Sequence, residues 1–393
     1  MILPVIEELE AQLDFLLNED ISKAEKRAGE GFINLAAQKK IVLIGSGNVG
    51  SKVLHVLREQ KFEVVAFTDN NQAKWGTKKD GLEIVAPEVI AAEFPDALYI
   101  VCIWSAGHFY KDSKAQFTAL GCKNIIHCGL VFWQYPQQLL PHFHFDLPQN
   151  FLKHRNDIKS AFNLFFDRES KSQFLAHVRA RLWLDFEGLP TPLPVAEQYF
   201  LQNVITTLED EVLLDGGAYR GDTLHEFIKI YNSNFKSYIA LEPDPTNLNY
   251  LNNYLASLEP DIAKKVSVLP YALGAKNETL RFDASGGTGA ALSSTGSLEV
   301  ACVALDIEFP NADISFIKLD IEGAEQEALK GAKTIIQNNK PVIAVCIYHM
   351  PDCLWYIALY LHSLLPDYKF FCRTYDSDGW EFVLYAVPVA RIK

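Results

Sequence analysis

The hydrophobic positions change their spacing several times along the chain, and each change marks a new element. Between residues 2 and 38 the apolar side chains Ile6, Leu9, Leu13, Leu16 and Leu17 recur at helical spacing, which predicts one or two leading helices. Lys40 to Ile44 is then a short apolar run ending in Gly45-Ser46-Gly47-Asn48-Val49-Gly50. Lys52 to Gln60 reads as helix, and Glu63 to Thr68 is a second apolar run. This succession predicts a strand, glycine turn, helix and parallel strand. Further strands are expected at Leu98 to Ile103 and Asn124 to Cys128, with the sheet ending near Phe132.

Tyr135 to Pro148 is interrupted by Pro136, Pro141 and Pro148 and marks a junction. Residues 151 to 185 read as helical until Pro190-Thr191-Pro192-Leu193-Pro194 breaks the pattern. Alternation of strand and helix then resumes, with strands expected at Val212 to Leu214, Tyr238 to Leu241, Val266 to Pro270, Phe316 to Leu319 and Val342 to Ile347. Such alternation builds a parallel sheet. Lys369 to Thr374 and Glu381 to Val387 differ, because the connection Tyr375 to Trp380 is too short for a crossover and forces an antiparallel hairpin. The expected fold class is α/β with two Rossmann-like domains, the second a mostly parallel sheet with an antiparallel last strand. The expected boundaries are 1–148 for leading helices plus the first domain, 149–196 for a helical linker, and 197–393 for the second domain.

Size agrees with this division, since 393 residues exceed what one core usually serves. With 49% hydrophobic and 22% charged residues the composition is that of a globular protein, and no apolar run reaches the roughly 18 residues a membrane span needs. Met1 to Leu17 is acidic and has no basic region before its apolar residues, so it does not read as a secretory signal, and a cytoplasmic location is expected. A net charge of −13 argues against a nucleic-acid partner, whose phosphates call for Lys and Arg. The seven cysteines form no CxxC pair and suit small buried positions; a metal is not expected.

Ligands of open α/β sheets bind beyond the carboxyl ends of the strands, so the residues there carry the chemistry. In the second domain they form a row of acids. Asp215 ends the first strand, with Gly217 and Gly221 in the following turn; Glu242 ends the second; Asp320 and Glu322 follow the fourth. A glycine turn alone is compatible with a plain helix start, whereas an acid ending the next strand is the residue that grips ribose hydroxyls in Rossmann-like sites. Asp320 also fits the cap of a helix beginning at Ile321, and for Glu325 the cap is the preferred reading. His349 ends the strand next to that of Asp320 and precedes Met350-Pro351. Ala284 to Ser297, rich in glycine, serine and threonine, reads as a mobile loop beside the site.

Over residues 197 to 388 the sequence resembles the FkbM family of methyltransferases that use S-adenosylmethionine (SAM). The resemblance is carried by Gln198-Tyr199-Phe200, by Glu211-Val212-Leu213-Leu214-Asp215-Gly216-Gly217-Ala218-Tyr219-Arg220-Gly221-Asp222-Thr223, and by Leu241-Glu242-Pro243. It continues in Tyr271-Ala272-Leu273-Gly274, Ala304-Leu305-Asp306, Ile317-Lys318-Leu319-Asp320-Ile321-Glu322-Gly323-Ala324-Glu325 and Tyr348-His349. Tyr219 stands where the general pattern of SAM-binding sheets has a glycine. The resemblance implies a SAM site formed by Tyr199, Asp215, Gly216, Gly217, Ala218, Tyr219, Gly221, Thr223, Glu242, Pro243, Tyr271, Ala272 and Asp320. It also implies methyl transfer to a hydroxyl on a small-molecule or glycan acceptor, such as a sugar or a secondary metabolite. A hydroxyl must lose its proton as it attacks, and Asp320 and His349 are the candidate catalytic bases.

In the first domain Gly45, Gly47 and Gly50 fit GxGxxG in the strand-to-helix context, and Asp69 ends the next strand. This stretch resembles the small nucleotide-binding domains found beside sugar-modifying enzymes, through Phe67-Thr68-Asp69-Asn70-Asn71 and Gly76. Two readings of it stand at this stage, a second nucleotide site and a bare scaffold. For the whole chain the alternative to an enzyme is a regulatory protein that binds SAM or a nucleotide without turnover.

Overall fold

The computed structural model describes residues 8–283, 291–292, 296 and 298–393. The chain divides into two units. The first comprises residues up to 159 together with 172–192 and 376–381, and the second comprises 160–171, 193–375 and 382–393. The stretch expected as a linker, 149–196, carries the helices Pro148–Lys153, Arg155–Leu164 and Arg168–Trp183 and is shared between the units. The connection of the last hairpin falls in the first unit.

The first unit is built on a six-stranded sheet with strands β1 (Ile41–Ile44), β2 (Val64–Thr68), β3 (Lys78–Lys79), β4 (Leu82–Val85), β5 (Leu98–Val101) and β6 (Asn124–His127). Their order is β3-β4-β2-β1-β5-β6, parallel throughout except for the β3–β4 pair. β1 lies at the centre and is apolar along its whole length because both of its faces are buried. The helix Asn48–Glu59 follows β1 and packs through Val53, Leu54, Val56 and Leu57. Gly50 permits this close approach, since a Cβ there would run into the carbonyl oxygen of Gly45.

In the second unit the strands are β7 (Val212–Gly216), β8 (Ser237–Leu241), β9 (Val266–Leu269), β10 (Tyr271–Leu273), β11 (Glu278–Asp283), β12 (Ala291–Leu292), β13 (Leu298–Val303), β14 (Phe316–Leu319), β15 (Val342–Cys346), β16 (Lys369–Thr374) and β17 (Phe382–Val387). Seven of them form the main sheet in the order β16-β17-β15-β14-β7-β8-β9. β17 runs antiparallel to both β15 and β16, and the other pairs are parallel. The reversed strand expected from the short last connection is therefore β17, inserted between its two neighbours.

A four-stranded sheet, β10-β13-β11-β12, stands outside the sequence expectations. Its core is Ala272, Phe282, Val300 and Cys302. β12 falls within the stretch read as a loop, of which the remainder apart from Gly296 lies outside the described residues. All seven cysteines are buried. Among the described residues no helix is long and apolar enough to cross a membrane.

Candidate active site

The carboxyl ends of β7, β8, β14 and β15 lie side by side in the second unit, and the acids foreseen there are brought together by this topology. At the end of β7 the chain turns through Gly217, which has φ +78 and lies so close to the backbone of Asp320 that a Cβ would collide with its carbonyl oxygen. Only glycine combines that backbone with that proximity. Tyr219 in the same turn has φ +45, also in the left-handed region. The position where related sheets use glycine therefore keeps the glycine-like backbone and carries a tyrosine at a cost of about 1 kcal/mol.

Glu242 follows β8 directly and is nearly buried. Its Oε2 accepts the Tyr219 N–H at 2.9 Å and its Oε1 accepts the Asp244 N–H at 2.9 Å. Burial, only partly offset by these two donors and by a hydrogen bond from the Asn247 side chain, pushes its pKa up to about 7. The next residues explain why the strand stops there. Asp244 caps the helix Pro245–Ser257 by accepting from the N–H groups of Thr246 and Asn247, and Pro245 occupies the first helical position.

Asp215, expected in the ligand site, turns the other way. It is fully buried, pairs with Lys318 Nζ at 2.9 Å and accepts from the Tyr238 hydroxyl. Lys318 also donates to the Gly217 carbonyl at 2.7 Å, so the pair holds the glycine turn from beneath. Burial opposes the charge on Lys318, but Asp215, Asp320 and Asp222 outweigh it and hold the ammonium above its usual range. Lys318 was not singled out from the sequence, although a lysine between Ile317 and Leu319 in a strand buried on both faces is itself a signal, because buried lysines are rare unless paired.

Asp320 lies just beyond β14 with its side chain part-exposed. Tyr199, whose residue number is far from it in sequence, donates its hydroxyl to Asp320 Oδ2 at 2.7 Å, and the ring of Tyr199 lies 5.0 Å from Lys318 Nζ. Burial would raise the Asp320 pKa; Lys318, His349 and the Tyr199 hydroxyl hold it below its ordinary value instead. Asp320 does not cap a helix, since the next one begins only at Glu325.

His349 is buried beyond β15. Its Nδ1 lies 2.7 Å from Glu325 Oε1, and its Nε2 lies 3.5 Å from Asp320 Oδ1 and 3.6 Å from Glu322 Oε2. Burial works against a charged ring, but Glu325 first, then Asp320 and Glu322, pull its pKa up to about 10. The raised pKa favours the protonated ring, a form that donates a proton rather than accepts one. Glu325, read from sequence as a cap, also accepts the N–H groups of Ile321 and Gly323 at 3.0 and 3.3 Å, and so fixes both the loop after Asp320 and the ring of His349.

The other expected residues are peripheral or structural. Ala218 and Gly221 complete the turn, Gly216 is the last residue of β7, and Thr223 is buried in the first turn of the helix Asp222–Ile230. Pro243 separates Glu242 from the capping Asp244, and Tyr271 and Ala272 open β10. Asp306, part of the family-like motif, accepts from the N–H groups of Thr334 and Ile335 and caps the helix Lys333–Asn339 from outside.

In the first unit, the turn after β1 is closed on itself. Asp69 accepts from the Ser46 hydroxyl at 2.6 Å and pairs with Lys74 at 2.7 Å. Burial would raise its pKa, but Lys74 and Ser46 hold it down at about 2. The acid that a ribose would need thus already has partners from its own unit, and Gly45 and Gly50 are both explained by close packing.

Two stretches of the chain match family models. Residues 215–370 match the family model of the methyltransferase FkbM domain. The second unit carries an FkbM methyltransferase domain. Residues 37–125 match a family described as C2185-like, N-terminal. The methyltransferase FkbM from Methylobacillus flagellatus KT is 21% identical, covers 96% of this chain and 100% of its own, and superposes with a TM-score of 0.79, so the fold is shared over nearly the whole length. A UDP-D-quinovosamine 4-dehydrogenase from Vibrio fischeri is 25% identical over 23% of this chain and 78% of its own, with a TM-score of 0.20, too low to carry an argument. No curated protein matches the chain.

Proposed function

We propose that the FkbM domain transfers the methyl group of SAM to a hydroxyl oxygen of an acceptor, a sugar or a secondary metabolite being the class the family resemblance favours. The observation that carries this reading is the Glu242 carboxylate beside the Gly217 turn. Each of its oxygens accepts one backbone N–H, which leaves lone pairs on both for the two hydroxyls of a ribose. Tyr219, Pro243, Tyr271 and Ala272 surround the adenosyl end in this proposal, and the acids beyond β14 face the sulfonium end.

SAM supplies an electrophilic methyl carbon, and the task left to the protein is to hold the acceptor oxygen in line with it and to take its proton. Asp320, ionised and part-exposed, is the proposed base; Tyr199 holds its Oδ2, and its Oδ1 lies 3.5 Å from His349 Nε2. The test is calorimetric titration of SAM and of S-adenosylhomocysteine into wild type and Glu242→Gln, followed by methyl transfer to a panel of hydroxyl acceptors. Tight binding weakened about tenfold or more by Glu242→Gln is expected, since the change removes a charged acceptor. Equal affinity in both proteins contradicts the site. Binding without transfer to any acceptor would favour a regulatory role.

A further inference from the structure

In the loop after β14, Glu322 stands where the backbone favours glycine. Its φ is +53, in the left-handed region, and Gly323 follows at φ +102. Glu325 braces this turn by accepting the N–H groups of Ile321 and Gly323 at 3.0 and 3.3 Å. A glycine would take the same backbone without strain, and other residues kept in it cluster at sites of function. The Glu322 side chain is 20% exposed, and its Oε2 faces the ring of His349.

His349 supplies a second, independent observation. Its side chain is 1% exposed, and the fully buried Glu325 holds Nδ1 at 2.7 Å, which turns Nε2 toward the loop. Nε2 is buried and has no hydrogen-bond partner among the described residues. It stands 3.6 Å from Glu322 Oε2 and 3.5 Å from Asp320 Oδ1, beyond good hydrogen-bond length. Among the described residues these three groups do not close into a set of cation ligands. An oxygen ~2.8 Å from both Nε2 and Oε2 bridges the 3.6 Å between them. A hydroxyl suits that position, because it accepts from a ring N–H and donates to a carboxylate at once. The raised pKa of His349 favours a proton on Nε2.

We propose that Glu322 and His349 form a hydroxyl subsite beside the base Asp320, with Glu325 as the positioning residue, so that the acceptor carries hydroxyls on two neighbouring carbons. The reacting hydroxyl gives its proton to Asp320 Oδ1; its neighbour donates to Glu322 Oε2 and accepts from His349 Nε2. Hydroxyls on neighbouring carbons lie about one hydrogen-bond length apart, which matches two carboxylates flanking a single ring nitrogen at 3.5 and 3.6 Å. As the reacting oxygen bonds to the methyl carbon, the carbon–sulfur bond breaks with its electrons left on sulfur, and the proton passes through Asp320 to solvent. That step rests on the methyltransferase reading; recognition of the hydroxyl pair does not.

The experiment adds probes with neighbouring hydroxyls to the full chain in the presence of S-adenosylhomocysteine. The probes are cis and trans cyclohexanediol and the methyl glycosides of glucose and mannose, with cyclohexanol as the single-hydroxyl control. The ring nitrogens of His349 are read by nitrogen NMR, and transfer from labelled SAM and the affinity for SAM are measured in parallel. At least one diol is expected to displace the Nε2 signal and cyclohexanol to leave it in place. In Glu322→Gln the displacement disappears and kcat/KM for that diol falls about tenfold or more, with SAM affinity unchanged. Glu325→Gln moves the Nδ1 signal of the free protein and weakens the diol response. The proposal is overturned if no diol displaces Nε2, if cyclohexanol displaces it equally, or if the response survives in Glu322→Gln. Weaker SAM binding in Glu322→Gln also overturns it, since Glu322 would then hold the ammonium of the cofactor. SAM binding without a diol response removes the subsite alone, whereas a diol response without SAM binding supports the subsite and removes the cofactor reading.

Discussion

Glu242 shows how a single residue can be caught between two demands. It is placed to accept hydroxyls as a carboxylate, yet its burial holds the pKa at about 7. Because the folded pKa lies above the unfolded value, Glu242 contributes no cost below about pH 4.5 and destabilises progressively as pH rises through about 7. Glu242→Gln is accordingly expected to raise the melting temperature at pH 8 relative to wild type and to leave it little changed at pH 4.5, as calorimetric scans would show. Ligand binding should run the opposite way, with SAM affinity falling below about pH 7 in wild type and flat in Glu242→Gln. The positions of Glu242 and Asp320 were legible from the sequence, because each directly follows an apolar run that forms a strand. The engagement of Asp215 was not, since nothing in Asp215-Gly216-Gly217 says that Lys318, seven strands later in the chain, rises beneath the turn. Gly217→Ala would set a Cβ against the Asp320 carbonyl at positive φ, and a loss of about 3 kcal/mol or more is expected in urea unfolding.

At the scale of elements, the central strands were readable because they are apolar on both faces: β7, β14 and β15 are buried throughout. The sheet formed by β10 to β13 was missed. β10 has only three residues, too few for a period to show, and in β13 only Glu299 interrupts the apolar residues, so the sequence itself does not alternate. β3, two lysines long, carries no apolar signal at all. Helix starts tell a similar story. Asp244 caps the helix that directly follows it in sequence, whereas the cap of the helix Lys333–Asn339 comes from Asp306, remote in sequence. Asp306→Ala should lower stability by about 1 kcal/mol, and Asp244→Ala by a similar amount, measured by chemical denaturation. If Asp306→Ala were neutral, the helix would not depend on that contact.

For the molecule as a whole, the boundaries of the two units follow contacts that interleave in sequence. In the second, Glu211 just before β7 is fully buried and accepts from both terminal nitrogens of Arg391, from Tyr231 and from Ser315, tying the last residues of the chain to the start of the sheet. Removing one partner would leave a buried charge alone, so Arg391→Ala is expected to cost about 3–5 kcal/mol; unchanged unfolding would show that the pair is dispensable. In the first unit, the self-satisfied Asp69 and the packed glycines favour a scaffold over a nucleotide site, and titration with NAD or nucleotide sugars is expected to show no heat. The central claim concerns the second unit, and the most direct measurement is the dissociation constant of SAM for the full chain beside that of Glu242→Gln at pH 8. The account predicts saturable binding at one site per chain, weakened about tenfold or more by the substitution. Absence of binding, or the same constant in both proteins, would contradict it.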